Sequence, residues 1–321
     1  MAAKDKLKLG SLIIAMAGIS TFLVTVDNVR RDIFNKEQAP NVKVADDSYF
    51  PGSVDELSAK ETIPVDGTDD PSVATEGLKN QGFMEADVKS SDVFEGTLAV
   101  YDVKHPAPEA SNNVTVDLIE FKNEYYTLIE EGVRLNADAA EAFNDMMADY
   151  FEYSQLSDFV VYGTTDTYTG EGSYCPRQFE ESLSGYCVDL ALNGWDGVMA
   201  YDGYGTQGWI EENCYKYGFI VRYPQGKEEQ TGEAYCPWHL RYVGAAHAEA
   251  MHKNGICLEE YLERLKEKNY EDPYTITVDN TAYKIYTAPV GESGSTIMVP
   301  VGGGYDVSGN SSDGVIVTIP N

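Results

Sequence analysis

Apolar positions follow distinct patterns in successive parts of the chain. Leu9 to Val26 is an uncharged run of 18 residues, long enough as a helix to cross a hydrocarbon layer of ~30 Å. From Asp27 to Ser90 apolar positions thin out among acidic residues and Pro40, Pro51, Pro64 and Pro71. Such a composition cannot bury enough surface to offset its chain entropy, so a flexible stalk is expected there. Folded character begins near Val93, where FEGTLAVYDV alternates. Asn136 then caps a helix running to Tyr153, with Ala140, Phe143, Met146, Met147 and Tyr150 at helical spacing.

Short runs at Phe159 to Tyr162, Gly185 to Ala191 and Phe219 to Tyr223 read as strands, and Thr206 to Tyr217, Ala245 to Asn254 and Leu258 to Lys268 as helices. Strands and helices mix without the regular alternation of a parallel sheet, which predicts an α+β fold. Beyond Pro273 the chain becomes rich in Thr, Val, Tyr, Ile and Gly, and TITVDN-TAYKIYTA predicts a hairpin turning at Asp279-Asn280. The expected division is a cytoplasmic tail (1–8), a transmembrane anchor (9–26), an acidic stalk (27–90), a main domain (91–272) and a small C-terminal β extension (273–321).

Charge narrows the functions open to such a chain. With 53 acidic against 23 basic residues the formal charge is −30, a field that repels nucleic-acid phosphates and anionic lipid and so argues against a nucleic-acid partner. Lys4, Lys6 and Lys8 precede the apolar run and Arg30 and Arg31 follow it beside Asp27 and Asp32. This balance puts the N-terminus inside and predicts a single-pass protein of the cell membrane with its main domain extracellular. The alternative is a signal peptide cleaved at Ala15-Met16-Ala17, and either route exports the bulk of the chain. The five cysteines are an odd number, so one thiol stays free, or bridges to another chain, if the others pair. Cys214 reads as a small buried hydrophobe, whereas Cys175, before Pro176, is the better candidate for a partner.

Two segments carry specific chemistry: Glu180 to Asp189 (EESLSGYCVD), and Trp209 to Pro224 (WIEENCYKYGFIVRYP) followed by Tyr235 to Gly244 (YCPWHLRYVG). Together they resemble the VanY-type D-alanyl-D-alanine carboxypeptidases, zinc enzymes that trim D-alanine from peptidoglycan stem peptides. The resemblance spans about Val93 to Lys268 and implies a core of antiparallel sheet with flanking helices. The family pattern S-x-H-x-x-G-x-A-x-D supplies two zinc ligands, its His and its Asp. Aligned on Gly185 and Asp189, this chain keeps the ligand Asp189 but has Ser182 in place of the His and Cys187 in place of the Ala. In the second segment His239 stands at the third ligand position, while Cys236 replaces the Glu that serves as general base. Thr165 stands where a substrate-facing Arg is expected, and Trp238 and Arg241 fall in the implied substrate cleft.

Zinc hydrolysis needs three protein ligands, one open position for water and a base. Asp189 and His239 alone make a poor set, and loss of the base typically costs a factor of about 10²–10⁴ in rate. The resemblance therefore implies an impaired or inactive domain without a cofactor. Its expected partners are peptidoglycan peptides or a cell-surface protein, with contact to the membrane through one helix. Cys187 should share a strand face with Asp189, and Cys236 approaches from the other segment. The two thiols would form a disulfide across the old cleft, rebuild a zinc site with Asp189 and His239, or stay free. A rebuilt site would make an active metallo-carboxypeptidase. In a third reading the β extension carries an adhesive or scaffold contact.

Overall fold

The computed structural model describes residues 82–101, 115–163, 180–302 and 304–321. All of them lie in one compact unit, Asp66–Asn321. The expected membrane span, the stalk up to residue 81, Thr165 and Cys175 lie outside the described residues. No helix among the described residues is long and apolar enough to cross a membrane.

Fourteen strands are described: β1 (Phe83–Val88), β2 (Thr115–Asp117), β3 (Thr127–Leu128), β4 (Arg134–Asn136), β5 (Phe159–Gly163), β6 (Cys187–Gly194), β7 (Gly197–Ala200), β8 (Phe219–Tyr223), β9 (Cys236–Tyr242), β10 (Tyr274–Val278), β11 (Thr281–Pro289), β12 (Ser295–Pro300), β13 (Asp306–Gly309) and β14 (Gly314–Pro320). The principal helices are α1 (Ala137–Ser154), α2 (Trp209–Asn213), α3 (Ala245–Asn254) and α4 (Leu258–Leu265). The central sheet has the order β3-β5-β6-β9-β8, with β7 on β6. It is antiparallel apart from its edge pair β3 and β5.

The side chain of Asn136 accepts a hydrogen bond from Ala139 N at 3.1 Å, satisfying one of the donors left open at a helix start. The predicted helix therefore begins where expected, and its stripe of Ala140, Phe143, Met146, Met147 and Tyr150 is wholly buried. It packs on Phe159, Val161, Val188, Leu190, Phe219, Val221 and Leu240, one face of the central sheet. Alternation along the strands sends Cys187, Asp189, His239 and Arg241 to the other face, so the same period that builds the core lines up the chemistry behind it.

Two expectations need correction. The helix predicted over Thr206 to Tyr217 is broken into a 3-10 turn at Gly205–Gly208, α2, and a second 3-10 turn at Cys214–Tyr217. Glycine at 208 weakens the helix at its start, and Gly218, at φ 77°, ends the segment in the left-handed region. The stalk also stops earlier than expected: β1 pairs along its whole length with β12, from Phe83↔Pro300 to Val88↔Ser295.

The C-terminal β extension is thus completed from the N-terminal side. Val88 shares a core with Tyr286, Ile297, Val299, Val315, Val317 and Ile319. The predicted hairpin is present as β10 and β11, with Asp279 and Asn280 at φ 46° and 67°, the paired positive angles that a two-residue hairpin turn requires. Residues 95–100 bind this β unit through Gly309 N to Glu95 O, Leu98 N to Ser308 Oγ and Val100 N to Ser311 Oγ. His247 on α3 lies between the Tyr261 hydroxyl of α4 and the Thr318 hydroxyl of β14, at 2.9 Å from each.

Candidate functional site

β6 and β9 run antiparallel with Asp189 directly opposite His239 and Cys187 opposite Arg241. The register brings Asp189 Oδ1 to 2.6 Å from His239 Nδ1, with His239 fully buried and Asp189 nearly so. The Tyr223 ring stacks on the imidazole at 5.5 Å. On its far side His239 Nε2 lies 4.0 Å from Glu181 Oε2, and Cys187 Sγ completes a group whose three candidate donor atoms all fall within 4.8 Å of one another.

Glu181 is already engaged. Both of its oxygens lie 2.9 Å from Arg222 Nε, and Arg241 Nη1 lies 3.8 Å away. Arg222 is itself shared, its two terminal nitrogens reaching Glu259 at 2.6 and 3.1 Å. Three carboxylates (Glu181, Asp189, Glu259) thus meet two guanidiniums and one imidazole. Burial alone would favour neutral His239, but the Asp189 carboxylate, with Cys187 assisting, lifts its pKa to about 10, so it is an imidazolium at neutral pH. Burial likewise opposes the Glu181 carboxylate, yet Arg222, then Arg241 and His239, hold it below the usual range. The cluster is charge-balanced, as buried ions must be.

Comparison with known proteins places the chain. The model of the VanY family, D-alanyl-D-alanine carboxypeptidase, matches residues 187–245. A D-alanyl-D-alanine carboxypeptidase of Enterococcus faecium is 32% identical over 259 residues, covering 76% of this chain and 83% of the relative. The chain belongs to the VanY-type D-alanyl-D-alanine carboxypeptidase family. A shorter match, 42% identical over 88 residues (27% of this chain and 32% of the relative), is to the putative carboxypeptidase YodJ of Bacillus subtilis (strain 168). In fold, the chain is similar to the vancomycin-resistance D,D-dipeptidase VanXYg, solved in complex with a D-Ala-D-Ala phosphinate analogue. The TM-score is 0.61 at 24% identity, covering 74% of this chain and 99% of that one.

A VanY-type zinc site can be tested against these residues. At the position of the missing His ligand, Ser182 Oγ is buried without a hydrogen-bond partner among the described residues, a neutral hydroxyl where a metal calls for imidazole or carboxylate. The two ligand-type atoms that remain are bonded to each other. Glu181, Cys187 and His239 offer donors on the far side of the ring, but Arg222 occupies both Glu181 oxygens and Arg241 Nη1 lies 4.0 Å from Cys187 Sγ. A divalent cation there would have to displace the protons of His239 and Cys187 and draw Glu181 away from Arg222. The residues present do not fit zinc.

Cys236 fares no better as a base. Its Sγ is 3.2 Å from Ala234 O, and burial, with Glu233 and Asp189 adding to it, pushes the thiol up to about 11. It holds its proton at neutral pH and cannot take one from water.

Three sequence expectations are revised on geometry. Cys187 and Cys236 are both free: Cys187 faces Arg241, whereas Cys236 lies five residues further along β9, opposite Tyr223 on β8. That is roughly 15 Å of extended strand, well beyond the ~7 Å between Cα atoms that a disulfide spans. The thiols flank His239 from different directions and do not cross-link the cleft. Arg241 is no cleft residue, because it is fully buried and its guanidinium donates to the carbonyls of Gly96, Thr97 and Ala99, tying residues 96–99 to the sheet. A Cys187–Cys236 zinc site fails with the disulfide, for the same separation. Trp238, next to His239 in the chain, is half-buried and, like Val198, packs against Val160 and Ala191.

The ion network of Glu181, Arg222 and Glu259 escaped the sequence reading. The letters were present, since Glu181 adjoins Ser182 and Arg222 sits in YGFIVRYP, but pairing between distant segments is set by the fold.

Proposed function

We propose that this chain is a cell-wall peptide-binding member of the D-alanyl-D-alanine carboxypeptidase family that does not hydrolyse its ligand. The observation that carries the reading is the direct Asp189–His239 contact of 2.6 Å, which fills the space between two ligand-type side chains. Ser182 and Cys236 at the positions of the third ligand and the base point the same way. Family membership supports the choice of ligand, and the fold relative VanXYg was solved with a D-Ala-D-Ala phosphinate analogue. The uncharged run Leu9 to Val26 supports a further element of the proposal, an anchor that holds the domain at the outer face of the cell membrane, where such peptides are found.

A second reading, an active metallo-carboxypeptidase, draws on the donor set of Glu181, Cys187 and His239. One experiment separates the two. The full-length protein is titrated with a stem pentapeptide ending in D-Ala-D-Ala, and free D-alanine is measured with and without added zinc. Binding with no release of D-alanine supports the proposal. Zinc-dependent release that is lost in His239→Ala establishes the second reading, and absence of peptide binding rejects the first. Protease added to intact cells tests the anchor: removal of the chain beyond Asp27 supports it, and a soluble mature form beginning at Gly18 refutes it.

A further inference from the structure

β8 is an edge strand of the central sheet, yet its residues are buried from Phe219 to Tyr223. Beside it, α3 and the 3-10 turn at Cys214–Tyr217 enclose a cavity of about 240 Å³. Cys214, Ile220, Val221, Ala248, Met251 and Ile256 form its buried apolar wall. Tyr215, Gln225, Lys227 and His252 stand at a rim that is exposed or half-exposed. Protein interiors leave few voids larger than a water molecule, and an apolar cavity of ~150 Å³ stays dry and takes up benzene. At roughly 1.6 times that size, the space beside β8 has room for a fused pair of rings.

The charges around this space are already matched. Lys227 Nζ lies 2.8 Å from Glu260 Oε2, and the Glu211 carboxylate, on the opposite side of the lining in sequence, accepts the Tyr235 hydroxyl at 2.6 Å. Burial holds the pKa of His252 below its usual 6.5, so the imidazole is neutral at pH 7. Its ring lies face to face with that of Tyr215, 3.5 Å apart and 6° from parallel, which makes a neutral aromatic plate at the rim. Met251 adds a thioether, a group that packs favourably at ring edges. A charged guest would meet no uncommitted counter-charge in this lining. An uncharged planar ring can stack on the plate, rest against the sulfur and turn a polar edge to the Gln225 amide.

We infer that this cavity is a binding site for a small uncharged aromatic molecule of one or two rings. Its lining shares no residue with the cluster of Glu181, Cys187, Asp189 and His239, so the inference goes beyond the wall-peptide reading and does not depend on it. The guest rests on β8, the strand whose next residues are Arg222, paired to Glu181, and Tyr223, stacked on His239.

Indole is the probe. Calorimetry on the full-length protein is expected to give a Kd of roughly 0.1 mM, within the range open to a ligand of about nine heavy atoms, and saturating indole should raise Tm because it binds the folded state. Ala248→Met, which fills the cavity, should abolish the heat. Tyr215→Ala, a rim change that leaves the buried wall intact, should weaken binding roughly tenfold. Indole-3-acetate carries a carboxylate on the same rings and should bind weaker than indole by roughly tenfold or more. No heat and no Tm shift with indole overturn the inference. Unchanged affinity in Tyr215→Ala overturns it whether or not Ala248→Met folds, because the probe then sits elsewhere on the chain. Indole-3-acetate binding as tightly as indole rejects the uncharged class of ligand.

Discussion

Replacing Arg222 by Ala tests whether the buried ion network, rather than a metal, holds this face of the sheet together. Arg222 is 2% exposed and fully buried Glu181 depends on it through two contacts of 2.9 Å. Removing one partner of a buried pair typically costs about 3–5 kcal/mol, because the other charge is stranded away from water. Two features put this case at the low end. Arg241 Nη1 remains 3.8 Å from Glu181, and Glu259, a quarter exposed, can turn to solvent. The expected loss is about 3 kcal/mol, equivalent to roughly 6–12 °C in Tm for a domain of this size. Urea denaturation followed by circular dichroism measures it. Glu181→Leu combined with Arg222→Met removes the stranded charge and should recover at least half of the loss. If Arg222→Ala costs under ~1 kcal/mol, Glu181 is not ionised in the folded protein and the charge count given for the cluster is wrong.

Two further outcomes follow from the same geometry. Burial lowers the pKa of His247 from its usual 6.5 to about 3, so below pH 6.5 the unfolded chain takes up a proton that the folded one refuses. Its contribution to stability is complete above pH 6.5 and is lost as pH falls towards 3; His247→Gln should flatten denaturation midpoints across that window, and an unchanged slope would show that His247 does not govern it. Ser182→His with Cys236→Glu restores the family's third ligand and base and is expected to raise bound zinc towards one per chain, whereas metal content equal to wild type would mean that the Asp189–His239 contact cannot open.

The strands and helices that were legible in the sequence are those whose period the core enforces. The stripe of α1 and its Asn136 cap, the turn at Asp279-Asn280 and the runs that became β5, β6 and β8 each satisfy a local rule that tertiary packing only confirms. β1 was not legible, because FMEADV is too polar to declare itself and becomes a strand only through pairing with β12, more than two hundred residues away. The site divides along the same line. Asp189 and His239 share a cleft because two recognisable motifs happen to be paired strands, and their placement follows from the family pattern. The separation of Cys187 from Cys236 depends on the register of β9 against β6 and on a bulge against β8, neither of which residue spacing reveals. Arg241 reads as a polar residue near a ligand, yet its role was decided by backbone carbonyls from residues 96–99, a segment that no local rule connects to it.

The claim at the centre of this account is that a VanY-family fold here carries a metal-free ion network where a catalytic zinc would sit. Elemental analysis of the full-length protein, purified without chelator and again after equilibration with zinc and desalting, tests it most directly. Zinc well below one per chain in both samples, with no change in Tm on adding EDTA, is the result expected. One zinc per chain, lost in His239→Ala and accompanied by a fall in Tm with EDTA, would contradict it.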